Sequence, residues 1–452
     1  MRETMESLVR PIDLTRVSED LRTGAIDPRE YAAATCERID HLDGVVQAFV
    51  PETGRAGRLH RAAEALIASG AEPDGGRPPL FGVPVGIKDI VHADGLDTRA
   101  GSALPPEVLR GEQAVVVDRL VAAGALVAGK TVTGEFAVTA PGPTRNPHRP
   151  GHTPGGTSSG SAAAVAAGMV PLAVGTQTIG SLIRPAAYCG VVGFKPSHGR
   201  IPTDGVLPVS PTFDTLGVVT AGVAGAALAA ACLCDDWRPE RAGSGAPVLG
   251  VPDGPYLGFA EPEALAAFEE HVALLRAAGH RVVRVPMFEH FEQEAFDLVI
   301  INLYEVARSH AGWFDRFGTS YDERTAEVVH QGRSIAESDH AAAMERRDAF
   351  RDRLAAETDR HGVDLWIAPS ATGPAPAGLE SAGDSVMSLP WSGAGLPCLT
   401  IPAPRPPGAL PLGLQFVARD GDDERLLGWA PELERALSPQ ETVTVGNRKD
   451  NA

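Results

Sequence analysis

Cysteine is scarce: five in 452 residues, at Cys36, Cys189, Cys232, Cys234 and Cys398. The set is odd in number and fits no metal-ligand spacing. It reads as reduced thiols in a cytoplasmic protein. The 13 histidines contain no HExxH pair, so nothing suggests a zinc site, and no metal or cofactor is expected. Positive charge is in deficit. Lys and Arg total 40 against 58 Asp and Glu, for a net charge of −18, with a pI near 5.2. Such a field disfavours nucleic acid and anionic membranes as partners. A membrane-length apolar run is also missing. The longest stretch, Val218 to Cys234, is rich in Ala and Gly, is interrupted by Thr220 and is followed by Asp235 and Asp236. A span needs about 20 strongly apolar residues, so a buried helix is expected there. Residues Met1 to Thr15 carry no signal-peptide-like apolar core.

What is present suits a globular protein: 43% apolar residues, with 50 Gly and 38 Pro to build tight loops. Residues 1–70 read as helical. Asp27 stands as a cap before Pro28, with Glu30 three residues on and Tyr31, Ala34, Ile39 and Leu42 spaced along one face. A second helix is expected from Arg55 to Ser69, ended by Gly70, and a loop from Ala71 to Pro79. Val83 to Ile90 and Ala125 to Ala128 read as buried strands around a helix at Gln113 to Ala123, an alternation that implies an α/β sheet. Further on, Glu261 to Gly279 reads as a helix and Arg281 to Val285 as a strand. Glu292 to Arg360 reads as mostly helical, with loops near Gly318 and Gly332. Late strands are expected at Leu365 to Ala368, Cys398 to Ile401 and Leu412 to Ala418, then a closing helix from Asp422 to Leu437 kinked at Pro431. With no repeat and no long linker, the chain reads as one unit: a core over 80–220, a mainly helical insertion over 235–360, and a return to the sheet over 364–437.

The chemistry lies in the segment Thr153 to Pro196. Gly155 to Ser161 is a Gly/Ser/Thr cluster leading into Ala162 to Ala167. A loop of that kind before a helix presents free N–H groups and hydroxyls. No GKS or GKT follows, which excludes a Walker loop, and no GxSxG elbow occurs. A second cluster, Gly175 to Ser181, places a serine on a permissive backbone able to surround an oxyanion with N–H groups. No His or Asp with triad logic is near in sequence. Lys88, at the end of an apolar strand, is a base candidate, since burial lowers a lysine pKa. Its alternative is a salt bridge to Asp89.

These motifs resemble the amidase signature family. Its members carry a GVPxxxKD lysine, a GGSSxGS loop and a GTxTxGSxxxP nucleophile segment. Here they are Gly82 to Asp89, Gly155 to Ser161 and Gly175 to Pro185, in the same order, with positions 157 and 181 separated by 24 residues. The likeness continues through Gly190 to Pro196, Asp214 to Gly217 and Leu410 to Gln415, and is weakest from Asp235 to Arg360. It implies a mixed, twisted sheet covered by helices on both faces, and hydrolysis of a carboxamide C–N bond without a cofactor. It also implies a Ser–cisSer–Lys triad. Ser181 corresponds to the nucleophile, Lys88 to the base, and position 157 to the bridging serine after a cis bond. Thr178, Ile179, Gly180 and Ser181 correspond to the oxyanion hole. Arg184, Ser158 and Phe136 are the substrate-binding candidates, Arg184 through a carboxylate clamp or, alternatively, as a structural partner of Asp214.

Two positions depart from the pattern. Thr157 replaces the bridging serine, and Ile179 stands where many members have glycine. Gln177 and the spacing of Arg184 resemble small-amide hydrolases of the malonamidase, allophanate and carboxybiuret type more than the family's glutamyl-tRNA amidotransferase members. The implied partner is a small amide, and dimers are common in the family. Acyl transfer to an amine, or amide binding without turnover, are the alternatives in activity. Trp313, Phe314, Phe317 and Trp391 read as core or as an acyl-pocket lining. Lys195, Tyr188 and Cys189 read as structural.

Overall fold

The computed structural model describes residues 8–70, 76–406 and 408–438. Ten strands pair into one mixed sheet. They are β1 (Pro84–Lys88), β2 (Leu126–Thr131), β3 (Leu172–Gln177), β4 (Val192–Lys195), β5 (Thr215–Thr220), β6 (Leu249–Asp253), β7 (Val282–Pro286), β8 (Leu365–Pro369), β9 (Cys398–Pro402) and β10 (Gly413–Val417). Their order is β2-β1-β3-β5-β4-β9-β10-β8-β6-β7. The two ends, β2-β1-β3 and β8-β6-β7, are parallel. The centre, from β3 through β8, is antiparallel.

Parallel neighbours need a crossover, normally a helix. Val115–Ala122 makes that connection between β1 and β2, and Pro262–Ala277 between β6 and β7. β1, β3 and β5 are buried along their whole length, which is why they read as continuous apolar runs rather than alternating ones. Ile87 of β1 is registered with Val174 of β3, which brings Lys88 to the level of Gly175 and within hydrogen-bond reach of Thr176 near the ends of both strands.

Near the N-terminus, Asp27 accepts a hydrogen bond from the Arg29 N–H at 2.7 Å and caps the helix Pro28–Val46 as expected. Its buried stripe differs from the expected face. Ile39 is buried, but Tyr31, Ala34 and Leu42 are only half-buried, and Ala32, Thr35, Cys36 and Val46 go in with Ile39. The helix Arg55–Ala68 follows. The expected loop 71–79 lies partly outside the described residues.

The run Val218 to Cys234 is not one helix. Val218 to Thr220 complete β5, and the helix Val223–Leu233 begins after a turn at Gly222. Both pieces are apolar because both are packed, so periodicity alone does not separate them. Gly332 is not in a loop. It sits inside the helix Glu323–Ser334, and a Cβ there would collide with the Leu303 carbonyl of the helix Phe291–Ser309. Glycine at this point allows the two backbones to touch. The mainly helical region 235–360 also contributes β6 and β7, which extend the sheet at one edge.

Candidate active site

Three chain segments meet where β1 and β3 end. Lys88 is the last residue of β1 and is fully buried. Successive strand residues face opposite sides of a sheet, so Lys88 and Asp89 have different partners. Asp89 pairs with Lys130 of β2 at 3.0 Å, and Lys130 also donates to Thr98 Oγ1 at 2.8 Å. The expected alternative of a Lys88–Asp89 bridge is thereby excluded. Lys88 Nζ is hydrogen-bonded instead to Thr157 Oγ1 and Thr176 Oγ1, both at 2.7 Å, with the Thr176 carbonyl at 3.5 Å. No carboxylate bonds to it among the described residues. Burial holds its ammonium form well below the usual lysine range, and the Arg184 charge acts in the same direction against an opposing pull from Asp214.

The Gly/Ser loop opens the buried helix Ser159–Ala166. The Gly156–Thr157 peptide bond is cis. Ser161 donates to the Val174 carbonyl at 2.9 Å and is hydrogen-bonded to Thr131 Oγ1 at 2.8 Å, tying the helix to β3 and β2. Ser158 Oγ donates to the Thr176 carbonyl at 3.0 Å and accepts from the Thr176 N–H at 3.2 Å. That hydroxyl, a substrate-binding candidate by sequence, thus serves as a staple between loop and strand.

β3 runs directly into the turn 178–182 and the helix Ile183–Cys189. The Ser181 carbonyl accepts from the Ser158 N–H at 2.9 Å, which draws the serine turn against the Gly/Ser loop. The Ser181 side chain is almost buried and makes no hydrogen bond among the described residues. The N–H groups of Thr178, Ile179, Gly180 and Ser181 likewise find no acceptor among the described residues. Four adjacent free donors beside a serine hydroxyl form a cradle for negative charge. The Thr178 side chain donates to Asp214 Oδ1 at 2.7 Å. The other Asp214 oxygen accepts from the Val209 and Ser210 N–H groups.

Arg184 does not pair with Asp214, whose acceptors are thus engaged. It is buried, donates from Nη2 to the Gly156 carbonyl at 2.6 Å, and leaves Nε without a partner. No carboxylate lies within ion-pair distance of it among the described residues. Phe136 is buried in an aromatic cluster, stacked on Tyr321 at 4.8 Å and edge-on to His310 at 4.9 Å. Trp391 is core, donating from Nε1 to Tyr256 Oη at 3.0 Å. Lys195 is buried and donates to the Pro196 carbonyl, and Tyr188 and Cys189 are buried as well.

Two groups escaped sequence reasoning. Thr176, the second hydroxyl on Lys88, lies within the quoted Gly175 to Ser181 cluster, yet nothing in its spacing distinguishes it. Ser392, in the short helix Leu389–Gly393, accepts from Gln177 Nε2 at 2.9 Å and donates to the Ile179 carbonyl at 2.5 Å. No local signal marks it. A cleft of about 1010 Å³ between the segments 286–298 and 346–361 is lined by none of Lys88, Thr157 or Ser181. A small cavity of about 10 Å³ does touch Thr157, under Leu379 and Ala382.

The amidase family model matches residues 30–427, and the chain belongs to the amidase signature family. It is 33% identical to one component of the glutamyl-tRNA(Gln) amidotransferase of Thermus thermophilus, over 92% of this chain and 95% of that one. A crystal structure of an amidase superposes with a TM-score of 0.84 at 31% identity, covering 94% of this chain and 100% of the other. The peptide amidase of Stenotrophomonas maltophilia gives a TM-score of 0.76 at 26% identity over 94% and 96%. Among the described residues no helix is long and apolar enough to cross a membrane.

Proposed function

We propose that this amidase hydrolyses a small carboxamide through an acyl-enzyme on Ser181. The observation that carries the reading is Lys88: buried, without a carboxylate, and 2.7 Å from the Thr157 hydroxyl. A neutral amine has two N–H groups and one lone pair. The two N–H groups serve the Thr176 hydroxyl and carbonyl, and the lone pair is left for the Thr157 proton. Thr157 in turn takes the proton of Ser181 as Oγ attacks the carbonyl carbon. Negative charge on the carbonyl oxygen is met by the free N–H groups of residues 178–181. The proton returns along the same relay to the departing amine, and water then releases the acid.

Arg184 supports the choice of substrate. A buried guanidinium with Nε unpartnered and no carboxylate beside it suits an anionic group on the amide. This places small acidic amides of the malonamate type first. A second reading, transfer of the acyl group to another nitrogen, is favoured by the amidotransferase name of the relative at 33% identity. Both are tested by incubating the protein with acidic and neutral amides, with and without an amine acceptor, and following products by mass spectrometry. Acid product alone from an acidic amide, lost in Ser181→Ala, supports hydrolysis. A new amide that forms only with acceptor supports transfer. No turnover and no labelling of Ser181 by a fluorophosphonate overturns the acyl-enzyme reading.

A further inference from the structure

The geometry points to Gln177 and Ser392 as positioning residues that aim the oxyanion donor of Gly180. The inference rests on the acyl-enzyme reading above and adds to it the device that sets the cradle. Gln177 is fully buried at the end of β3. Its Oε1 accepts from the Leu182 and Ile183 N–H groups at 3.0 and 2.9 Å, immediately beyond the nucleophile. Its Nε2 donates to Ser392 Oγ at 2.9 Å, and Ser392 donates onward to the Ile179 carbonyl at 2.5 Å.

Only one set of hydrogen positions satisfies this chain. Two backbone N–H groups can bond only to an acceptor, so they take the amide oxygen of Gln177. Its nitrogen must then face Ser392, whose oxygen accepts. The Ser392 proton is left with one acceptor, the Ile179 carbonyl. One side chain therefore grips the turn on both sides of Ser181, directly at residues 182 and 183 and through Ser392 at residue 179.

The consequence follows from peptide planarity. In a trans peptide the C=O of Ile179 and the N–H of Gly180 point in opposite directions. Pulling the Ile179 carbonyl onto Ser392, away from the reacting side, turns the Gly180 N–H the other way. That N–H has no acceptor among the described residues. Gly180 is also held from above, since a Cβ on it would come within 2.9 Å of Ser385 Cβ. Ile179 itself packs with Phe213, Leu298, Ile301 and Leu389. The peptide between 179 and 180 is thus fixed by side chains remote from the catalytic lysine. The helix bearing Ser392 thus adds a hydroxyl that acts through the 179–180 peptide.

The test measures the rate at which Ser181 is labelled by a fluorophosphonate. There an Oγ–P bond forms, the P–F bond breaks, fluoride leaves, and the P–O oxygen occupies the cradle. Removing one oxyanion donor typically costs about 10²–10³-fold in rate, and misdirecting one costs less. Ser392→Ala should slow labelling by about 10-fold or more, with the thermal midpoint little changed. Ser392→Thr, which keeps the hydroxyl, should restore most of the rate. Gln177→Glu, ionised, turns the Ser392 proton towards itself and should slow labelling as well. It also keeps the question open to test if Ser392→Ala fails to fold. Wild-type labelling rates in both Ser392→Ala and Gln177→Glu, or a Ser392→Thr protein as slow as the alanine variant, overturn the positioning role alone. Absence of Ser181 labelling in the wild type overturns the acyl-enzyme reading and this role with it.

Discussion

The Cγ2 methyl of Thr157 stands against Gly134, where a Cβ built on the glycine would come within 3.3 Å of it. The methyl that threonine adds at position 157 therefore faces a residue that has no side chain. With the methyl accommodated there, the hydroxyl reaches Lys88 at 2.7 Å.

Thr157 should accordingly behave as a competent relay. A χ1 strained by the extra methyl would cost about 0.5–1.5 kcal/mol, or up to about tenfold in rate. Thr157→Ser should change acylation by no more than that. Thr157→Val keeps the shape, removes the hydroxyl, and should lower turnover by about 10²–10⁴-fold, the usual worth of a positioned proton carrier. Rates on one good amide substrate decide it. Equal turnover in Val and Thr enzymes would remove position 157 from the proton path.

Lys88 should set the pH dependence of activity. Its folded-state pKa lies well below the ordinary 10.5 because burial penalises the charged form. Turnover should rise with pH through that lowered value and then level off. Lys88→Ala should reduce it by several orders of magnitude at every pH. A pH–rate profile of kcat/KM checks the first expectation, and full activity in Lys88→Ala would end the assignment.

The same burial makes Lys88 a cost to folding. Between the lowered pKa and 10.5 the unfolded chain holds a proton that the folded chain does not, so stability rises with pH in that window. The penalty is complete below the folded value and absent above about 10.5. Lys88→Met should therefore unfold at a higher temperature than wild type at neutral pH. The gap should narrow as pH approaches 10.5. Thermal melts across this range test it, and a gap that widens with pH would refute it.

For Arg184 the informative quantity is a ratio. Arg184→Met loses the hydrogen bond to the Gly156 carbonyl, which affects every substrate alike. If its free edge also binds an anionic group, an acidic amide should lose about 10- to 100-fold more in kcat/KM than its neutral analogue. That corresponds to a charge-assisted hydrogen bond of about 1.5–3 kcal/mol. Equal losses for both would confine Arg184 to holding the loop.

Much of this protein was legible one segment at a time. The strand before Lys88, the Gly/Ser loop before a helix and the serine turn after β3 are local arrangements. Apolar runs, caps and small residues announce them because their causes are local sterics and burial. The order and spacing of the three motifs sufficed to place the chain in its family. The strand expected at Arg281 to Val285 is β7, at the sheet's edge; β6 and the end of β5 were less legible, since a short apolar run looks alike in a strand and in a buried helix.

Chemistry by itself left Lys88 with either Asp89 or a catalytic role, Ser158 as a neighbouring hydroxyl, and Arg184 with either Asp214 or a substrate. The tertiary structure decided the protein partners of all three because each depends on contacts between distant residues. Strand alternation sends Asp89 to Lys130, leaving Lys88 to Thr157 and Thr176. The packing of the Gly/Ser loop on β3 brings Ser158 onto the Thr176 backbone, and the folding of the serine turn onto the loop brings Arg184 to Gly156. The sequence determined which groups are available for the chemistry. Packing determined what each of them is paired with, because a buried group's partners and desolvation set its affinity for a proton.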